Sequence, residues 1–578
     1  MFDLRQALAS RLNPSRFGAS HFRRRLAYTD ALPQISFLGL ISGGAAALVI
    51  VAFRSLFELP LEHWLPSGTA ESFEQLDPIW YFMLPVIGCL LIGLWLMAFK
   101  PDERKTGVTH VMTRMAYHQG KMPFKNTLVQ FVGGAIGILT GQSAGREGPA
   151  VHLGSAVSSQ IGSFFKLPHN SVRLMVGCGT AGAIAASFNT PMAGVIFAME
   201  VVMLEYSIMG FTPVIIAAVT ATLVHNSLYG AEMAFMAPDI SMASMQEMPL
   251  ILVYGVILGA MAALFTKTLT SMLSFGAQPV LARMLVAGTF TGCLAYYVPQ
   301  VMGMGTDSIL LAIEGQYALG LLIALALAKL FATAISIGLG MPIGLIGPTL
   351  LMGACAGSAL GHISGYVLDV PTSDPGFYAM LGMGAMMSAV LQAPLAALVA
   401  LMELTHNPDI ILPGMATIVI ANISCSYLFK QDSAFIEILR KQGMDYQANP
   451  ITQALNHQGV TSLMHDDISH HHDQDISGCQ QAKDQGLNWM VINNGGDQVN
   501  HVLHQSQIDL NNALLGSLTE AAGHPATQFG YCSSRATLKE AWNLCKKMDY
   551  KQLLITDIDG SIMGLLPIDE ILKYTQKE

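Results

Sequence analysis

Charge is what this chain has least of. Only 12% of its 578 residues are Asp, Glu, Lys or Arg, against 52% apolar residues, and the mean hydropathy is +0.46. Soluble domains carry about 25% charge, so a soluble globular protein is excluded. Cysteine is sparse too: eight residues, none in C-x-x-C spacing, which suggests neither a metal knuckle nor a redox pair. Basic residues are outnumbered, 30 to 39, and the net charge of −9 argues against a nucleic-acid partner. Intramembrane hydrolysis lacks its signatures, since neither H-E-x-x-H nor G-x-G-D occurs and no Ser and His pair sits at matched helix starts. An enzyme is not expected.

Long apolar windows are present instead. Gln34 to Phe57, Tyr81 to Phe99, Leu250 to Leu273 and Leu319 to Leu339 each approach the ~20 residues that span a bilayer. Further apolar segments are shorter or broken by the 55 glycines and 26 prolines. Broken membrane helices are tolerated where they line a cavity, which points to a transport path, while close packing through small residues accounts for many of the glycines. Arg5, Arg11, Arg16 and Arg23 to Arg25 precede the first span, which places residues 1–33 in the cytoplasm. These lead straight into a full-length span, so no cleavable signal is expected. Lys and Arg are missing from 55–97, 231–249 and 364–376, as suits the outer face. They return at Arg104, Lys105, Arg114, Lys121 and Lys125, and again at Lys430, Arg440 and Lys441. Both termini are therefore expected in the cytoplasm of a cell with a multi-pass inner-membrane protein.

The stretch GQSAGREGPAVHLG, 141 to 154, puts one carboxylate, Glu147, into a glycine-rich turn that opens a helix, with Pro149 in the first turn where a missing N–H costs nothing. A helix start attracts anions through its unpaired N–H groups and dipole. Glu147 can thus compete, as a tethered carboxylate, for the site an anion would take. The chain also resembles itself: FNTPMAGVIFAME (188–200) and LQAPLAALVALME (391–403) each carry a Pro nine residues before a Glu, and Pro149 has a counterpart in Pro348 of GMPIGLIGPTLLMGA, starting at Gly340. The prolines are 42 residues apart in the first half and 46 in the second. Two such halves imply a site where they meet near the bilayer midplane.

These motifs, GREGP at 145–149, the FNTP helix at Phe188, the proline-bearing helix start around 344–350 and MELT at Met402, resemble the CLC chloride channel and transporter family over most of 34–442. The resemblance implies an all-α polytopic membrane domain of two inverted repeats of tilted and broken helices, roughly 34–230 and 249–442, and a homodimer with one anion pathway per subunit. It implies that Glu147 is the gate and that amides near Arg146, Glu147 and Gly148 face those of Leu345 and Ile346 across the anion site. Thr106 stands where the family has an anion-binding serine, and Phe435 where it has a tyrosine, so one hydroxyl is kept and one lost. The inner proton glutamate of the family's exchangers falls at Val201, and His110 and Met112 replace acidic residues after the inner motif. A valine carries no proton. Passive chloride conduction is the expectation, with H+/Cl− exchange through a water-mediated path as the alternative. Pro149 and Thr106 favour chloride over fluoride. A regulated cation channel is remote, because the membrane carboxylates, chiefly Glu147, Glu200 and Glu403, are isolated. Glu200 and Glu403, at equivalent helix ends, are expected to be caps or inner-vestibule residues.

After Arg440 the chain turns polar. Residues 443–456 read as a linker, and 457–578 as a small α/β domain. Ala536 to Tyr574 reads as helix, strand, Asp559-Gly560 turn, strand and helix, resembling a CBS motif, and a degenerate copy runs from about His457 to Leu514 with Gly495-Gly496 as its turn. The resemblance places an adenine nucleotide between such motifs, with Asp569 at the ribose-binding position, but Leu566 replaces the usual Thr or Ser and leaves a structural tail as the competing expectation. No cofactor is required; chloride is the substrate. The cluster His465, Asp466, Asp467, His470, His471 and His472 has metal-ligand types without a framework to fix their geometry.

Overall fold

The computed structural model describes residues 19–27, 31–66, 69–206, 208–230, 241–367, 372–444, 450–472, 475–493, 499–504 and 529–577. The chain divides into two units: 36–163 with 173–447, and 1–35 with 164–172 and 448–578.

The larger unit is all helix. Among the described residues, nine helices are long and apolar enough to cross a membrane, and four apolar helices, Phe124–Leu139, Pro191–Met203, Pro375–Leu391 and Pro394–Thr405, are shorter. Prolines begin several of them: Pro78, Pro191, Pro375 and Pro394 each occupy the first helical position, where the fixed φ suits the helix and no N–H is wasted. All four windows picked from hydropathy fall within helices, Leu32–Trp64, Pro78–Met97, Met248–Met272 and Leu319–Gly338, to within a residue or two at the ends.

The repeat is a geometric one. Gly145 and Gly344, equivalent in the two halves, form an antiparallel bridge, exchanging N–H···O bonds of 2.9 and 2.8 Å. Gly154 on the Glu147–Phe164 helix meets Gly179 so closely that a Cβ on either would strike the other's backbone carbonyl, and Gly353 meets Gly382 in the same way in the second half. Small residues permit this backbone approach within apolar helix pairs. The two glutamates complete the pattern. Glu403 accepts the N–H groups of Met192 (2.9 Å) and Ala193 (2.7 Å), and Glu200 those of Leu395 (3.3 Å) and Ala396 (2.6 Å). Each carboxylate, near the end of its own helix, thus caps the start of the equivalent helix from the other half. The two helices run antiparallel, so the repeats are inverted.

The smaller unit contains two three-stranded sheets. β1 (Ile468–His472) pairs parallel with β2 (Trp489–Asn493), which pairs antiparallel with β3 (Val499–His504); β4 (Phe529–Ser533), β5 (Gln552–Thr556) and β6 (Ile562–Pro567) repeat the arrangement. The register shifts at the same step in both, Ile492/Asn493 and Ile555/Thr556. The β-α-β-β order occurs twice, as expected of paired CBS motifs. Thr537 caps the Leu538–Met548 helix, and Leu538, Ala541 and Cys545 are buried against β5 and β6. Gly560, in the left-handed region at φ 85°, makes the Asp-Gly turn. The Gly495-Gly496 turn and the end of the first copy at Leu514 lie outside the described residues. One boundary differs. The presumed linker 443–456 contains most of a helix, Pro450–His457, whose Leu455 is buried with Leu538 and Ile571. Its apolar positions Ile451, Ala454 and Leu455 do follow helical spacing, over a run too short to stand out in a polar stretch. The 164–172 turn also belongs here: His169 N–H donates to Arg535 O (2.8 Å), its Nδ1 lies 2.8 Å from Glu540, and Asn170 donates to the carbonyls of Leu26 and His457.

Candidate anion site

Two helices begin at the Gly145–Gly344 bridge: Glu147–Phe164 and Ile346–Val367. Pro149 and Pro348 sit at the third position of each, and the first intrahelical bonds, Ala150 N–H to Arg146 O and Thr349 N–H to Leu345 O, are 2.9 Å long. The N–H groups before these have no intrahelical partner. Glu147 closes over them. Its carboxylate is buried, 1% exposed, and lies against glycines of both halves, Oε2 against Gly145 and Gly344 and Oε1 against Gly347. Its Oε2 has no hydrogen-bond partner among the described groups.

Beside this turn lies a cavity of about 590 Å³. Thr106, Gly148, Leu345, Ile346 and Phe435 all line it, joined by Arg104, Lys105 and Arg283. Thr106 precedes the Gly107–Tyr117 helix with extended backbone, and its side chain does not cap that helix. Phe435 stands in the first turn of the Ala434–Lys441 helix, which also puts Ile438 and Gln442 on the cavity wall. Glu147 and Arg146 are not among the lining residues. The Arg146 guanidinium is occupied elsewhere, at 3.2 Å from Glu58 Oε1 and donating to Ser187 O at 2.6 Å. Glu58 also takes Arg54 Nε at 2.8 Å. Val201 is buried in the π-helical turn Ala198–Met203. In the other unit, Asp569 is exposed on the first turn of the Ile568–Lys577 helix and Leu566 is buried in β6. His470 to His472 lie on β1, while Asp466 pairs with Arg24 (2.6 Å) and Asp467 accepts from Asn488 (2.5 Å).

Three side chains join the site without having been singled out by the sequence reading. Gln130 accepts Gly107 N–H with Oε1 and donates Nε2 to Pro342 O, both at 2.7 Å, tying the inner motif to the second half. Lys329 is fully buried and donates Nζ to Val301 O (3.0 Å) and Gly303 O (2.7 Å); Gly303 in turn donates its N–H to Gly141 O and accepts that of Ala144, in the turn before Glu147. Arg283, on the cavity wall, donates to Leu339 O at 2.9 Å. Each is a lone polar residue in an apolar run, a signal that marks function in membranes. Chemically, the arrangement offers an anion amide dipoles, a hydroxyl and nearby cations, with a carboxylate seated in the amide site.

A family model described as "Voltage gated chloride channel" matches residues 88–426. The H(+)/Cl(-) exchange transporter ClcA of Vibrio campbellii is 30% identical over 398 residues, covering 66% of this chain and 84% of that protein. Among solved structures, a slow cyanobacterial Cl-/H+ antiporter superposes with a TM-score of 0.63 at 20% identity, covering 71% of this chain and 97% of the other. A eukaryotic CLC transporter gives 0.60 at 18% identity and covers 93% and 97%.

Proposed function

Because the chain belongs to the voltage gated chloride channel family, we propose that it is an inner-membrane transporter exchanging chloride for protons, with Glu147 as its gate. The observation that carries this is the seat of Glu147: a buried carboxylate set against the starts of two helices, one from each half, beside a cavity of about 590 Å³. Protonation removes the charge that holds the side chain there. A chloride can then take the amides, and the proton travels with the released carboxyl group. Thr106 contributes the hydroxyl of an inner anion position, and Phe435 an aromatic wall without one. Pro149 and the Thr106 hydroxyl favour chloride over fluoride. Exchange takes precedence over passive conduction because the curated relative is named an exchange transporter. Val201 is the observation on the other side, since no carboxylate stands there to receive protons. The protein works as a homodimer with one pathway per subunit, both termini on the cytoplasmic side.

A reversal-potential measurement in liposomes under combined chloride and pH gradients separates the two readings. Exchange moves the reversal potential with the proton gradient. A reversal fixed at the chloride Nernst potential replaces exchange with passive conduction.

A further inference from the structure

We propose that His110 and His152 form a proton-carrying station serving Glu147, in place of the carboxylate that position 201 lacks. This rests on the exchange reading. His110 is on the Gly107–Tyr117 helix that follows Thr106, and His152 is on the helix that Glu147 begins. Their rings stack with centroids 5.3 Å apart and planes 9° from parallel. Both are buried, at 6% and 0% exposure, and none of the four ring nitrogens has a hydrogen-bond partner among the described groups. Buried polar atoms are nearly always paired, because leaving them open costs free energy. Four open nitrogens on two touching rings are therefore a feature that packing alone does not require.

Their position suits a relay. His152 is five residues beyond Glu147 on one helix, a rise of about 7.5 Å along the axis. Its ring lies against Gly107, which lines the cavity. The turn carrying Val201 packs on the His110 helix. Imidazole is the side chain whose ordinary pKa lies nearest neutrality; it binds a proton at one nitrogen and releases one from the other. In the step toward the gate, an N–H bond of the imidazolium breaks and an O–H bond forms on the Glu147 carboxylate, through bridging water. A neutral ring and a neutral acid remain. The ionisable groups facing His110 are His152, Arg114, Lys105 and His118. The elements packed on the His110 helix add Glu200, on the Ala198–Met203 turn, and Glu437, Arg440 and Lys441, on the Ala434–Lys441 helix, and Glu147 begins the helix of His152. With no carboxylate at position 201 itself, an anion in the adjacent cavity is a further charge that can offset a proton on the pair, which would link proton entry to chloride occupancy.

The full chain in liposomes tests this, with chloride-driven proton uptake and chloride efflux measured together. His110→Gln and His152→Gln should lower the proton flux about tenfold or more, while chloride efflux persists. Where a Gln variant loses chloride efflux, His110→Met and His152→Phe fill the volume without buried polar atoms and take its place. An unchanged proton-to-chloride ratio in variants that still carry chloride overturns the station and leaves exchange standing. A wild-type chain with no proton coupling overturns both. Return of proton flux on adding Val201→Glu to His110→Gln supports the station, because a carboxylate then does the pair's work.

Discussion

Glu147 could be picked out from one glycine-rich motif, because a carboxylate at a helix start carries its own physical argument. What the motif could not reveal is that its Oε1 lies against Gly347, 200 residues away. Glu147→Gln and Glu147→Ala should give chloride transport that no longer varies with external pH; radiolabelled chloride uptake from pH 5 to 8 checks this, and a retained pH dependence sinks the gate assignment. Phe435→Tyr returns a hydroxyl to the cavity wall. One hydrogen bond to a charged partner contributes about 1.5–3 kcal/mol at best, so chloride affinity measured by calorimetry should rise by up to roughly a hundredfold, with Thr106→Val moving it the other way. Lys329 was not singled out because a single lysine in ALALAKLFATA gives no partner to name. Its partners are carbonyls of a loop closed by tertiary contacts.

The helices themselves were largely legible. Hydropathy windows and N-terminal prolines mark most of them, since length and the missing proline N–H act locally. The repeated Pro-x8-Glu spacing was visible as well, but its purpose was not: a capping carboxylate normally belongs to its own helix, whereas Glu200 and Glu403 each serve the other's neighbour. Removing either charge should lower the thermal midpoint in detergent by comparable amounts, in line with about 1.5–3 kcal/mol for charge-assisted bonds; a large effect from Glu403→Gln with none from Glu200→Gln would break the equivalence of the halves. In the tail, Asp475 caps the Ile476–Asp484 helix through the Gly478 N–H, which holds its carboxyl below the usual range. Because the folded value lies below the unfolded one, the capping stability is fully present above the ordinary carboxylate range and is lost as pH falls through the folded value. Asp475→Ala should therefore speed amide hydrogen exchange in 476–479 at neutral pH, and have little effect in strong acid.

For the whole molecule, the homodimer is tested by single-molecule photobleaching of a labelled chain in lipid, where two bleaching steps are expected and a dominant single step refutes it. Composition determined that the chain is a membrane protein, because hydropathy and charge depend only on which residues are present, and the periodicity and turn residues after Arg440 marked an α/β tail. Local motifs determined the helix starts, the two halves and the carboxylate at the first helix start. Tertiary structure decided that the halves are inverted, that Arg146 serves Glu58 rather than the cavity, that 164–172 belongs with the tail, and that His110 stacks on His152. Each of those depends on which distant segments meet, and in an apolar chain where nearly every helix face can pack on another, that choice is made by a few glycine contacts and buried polar partners that no local pattern records.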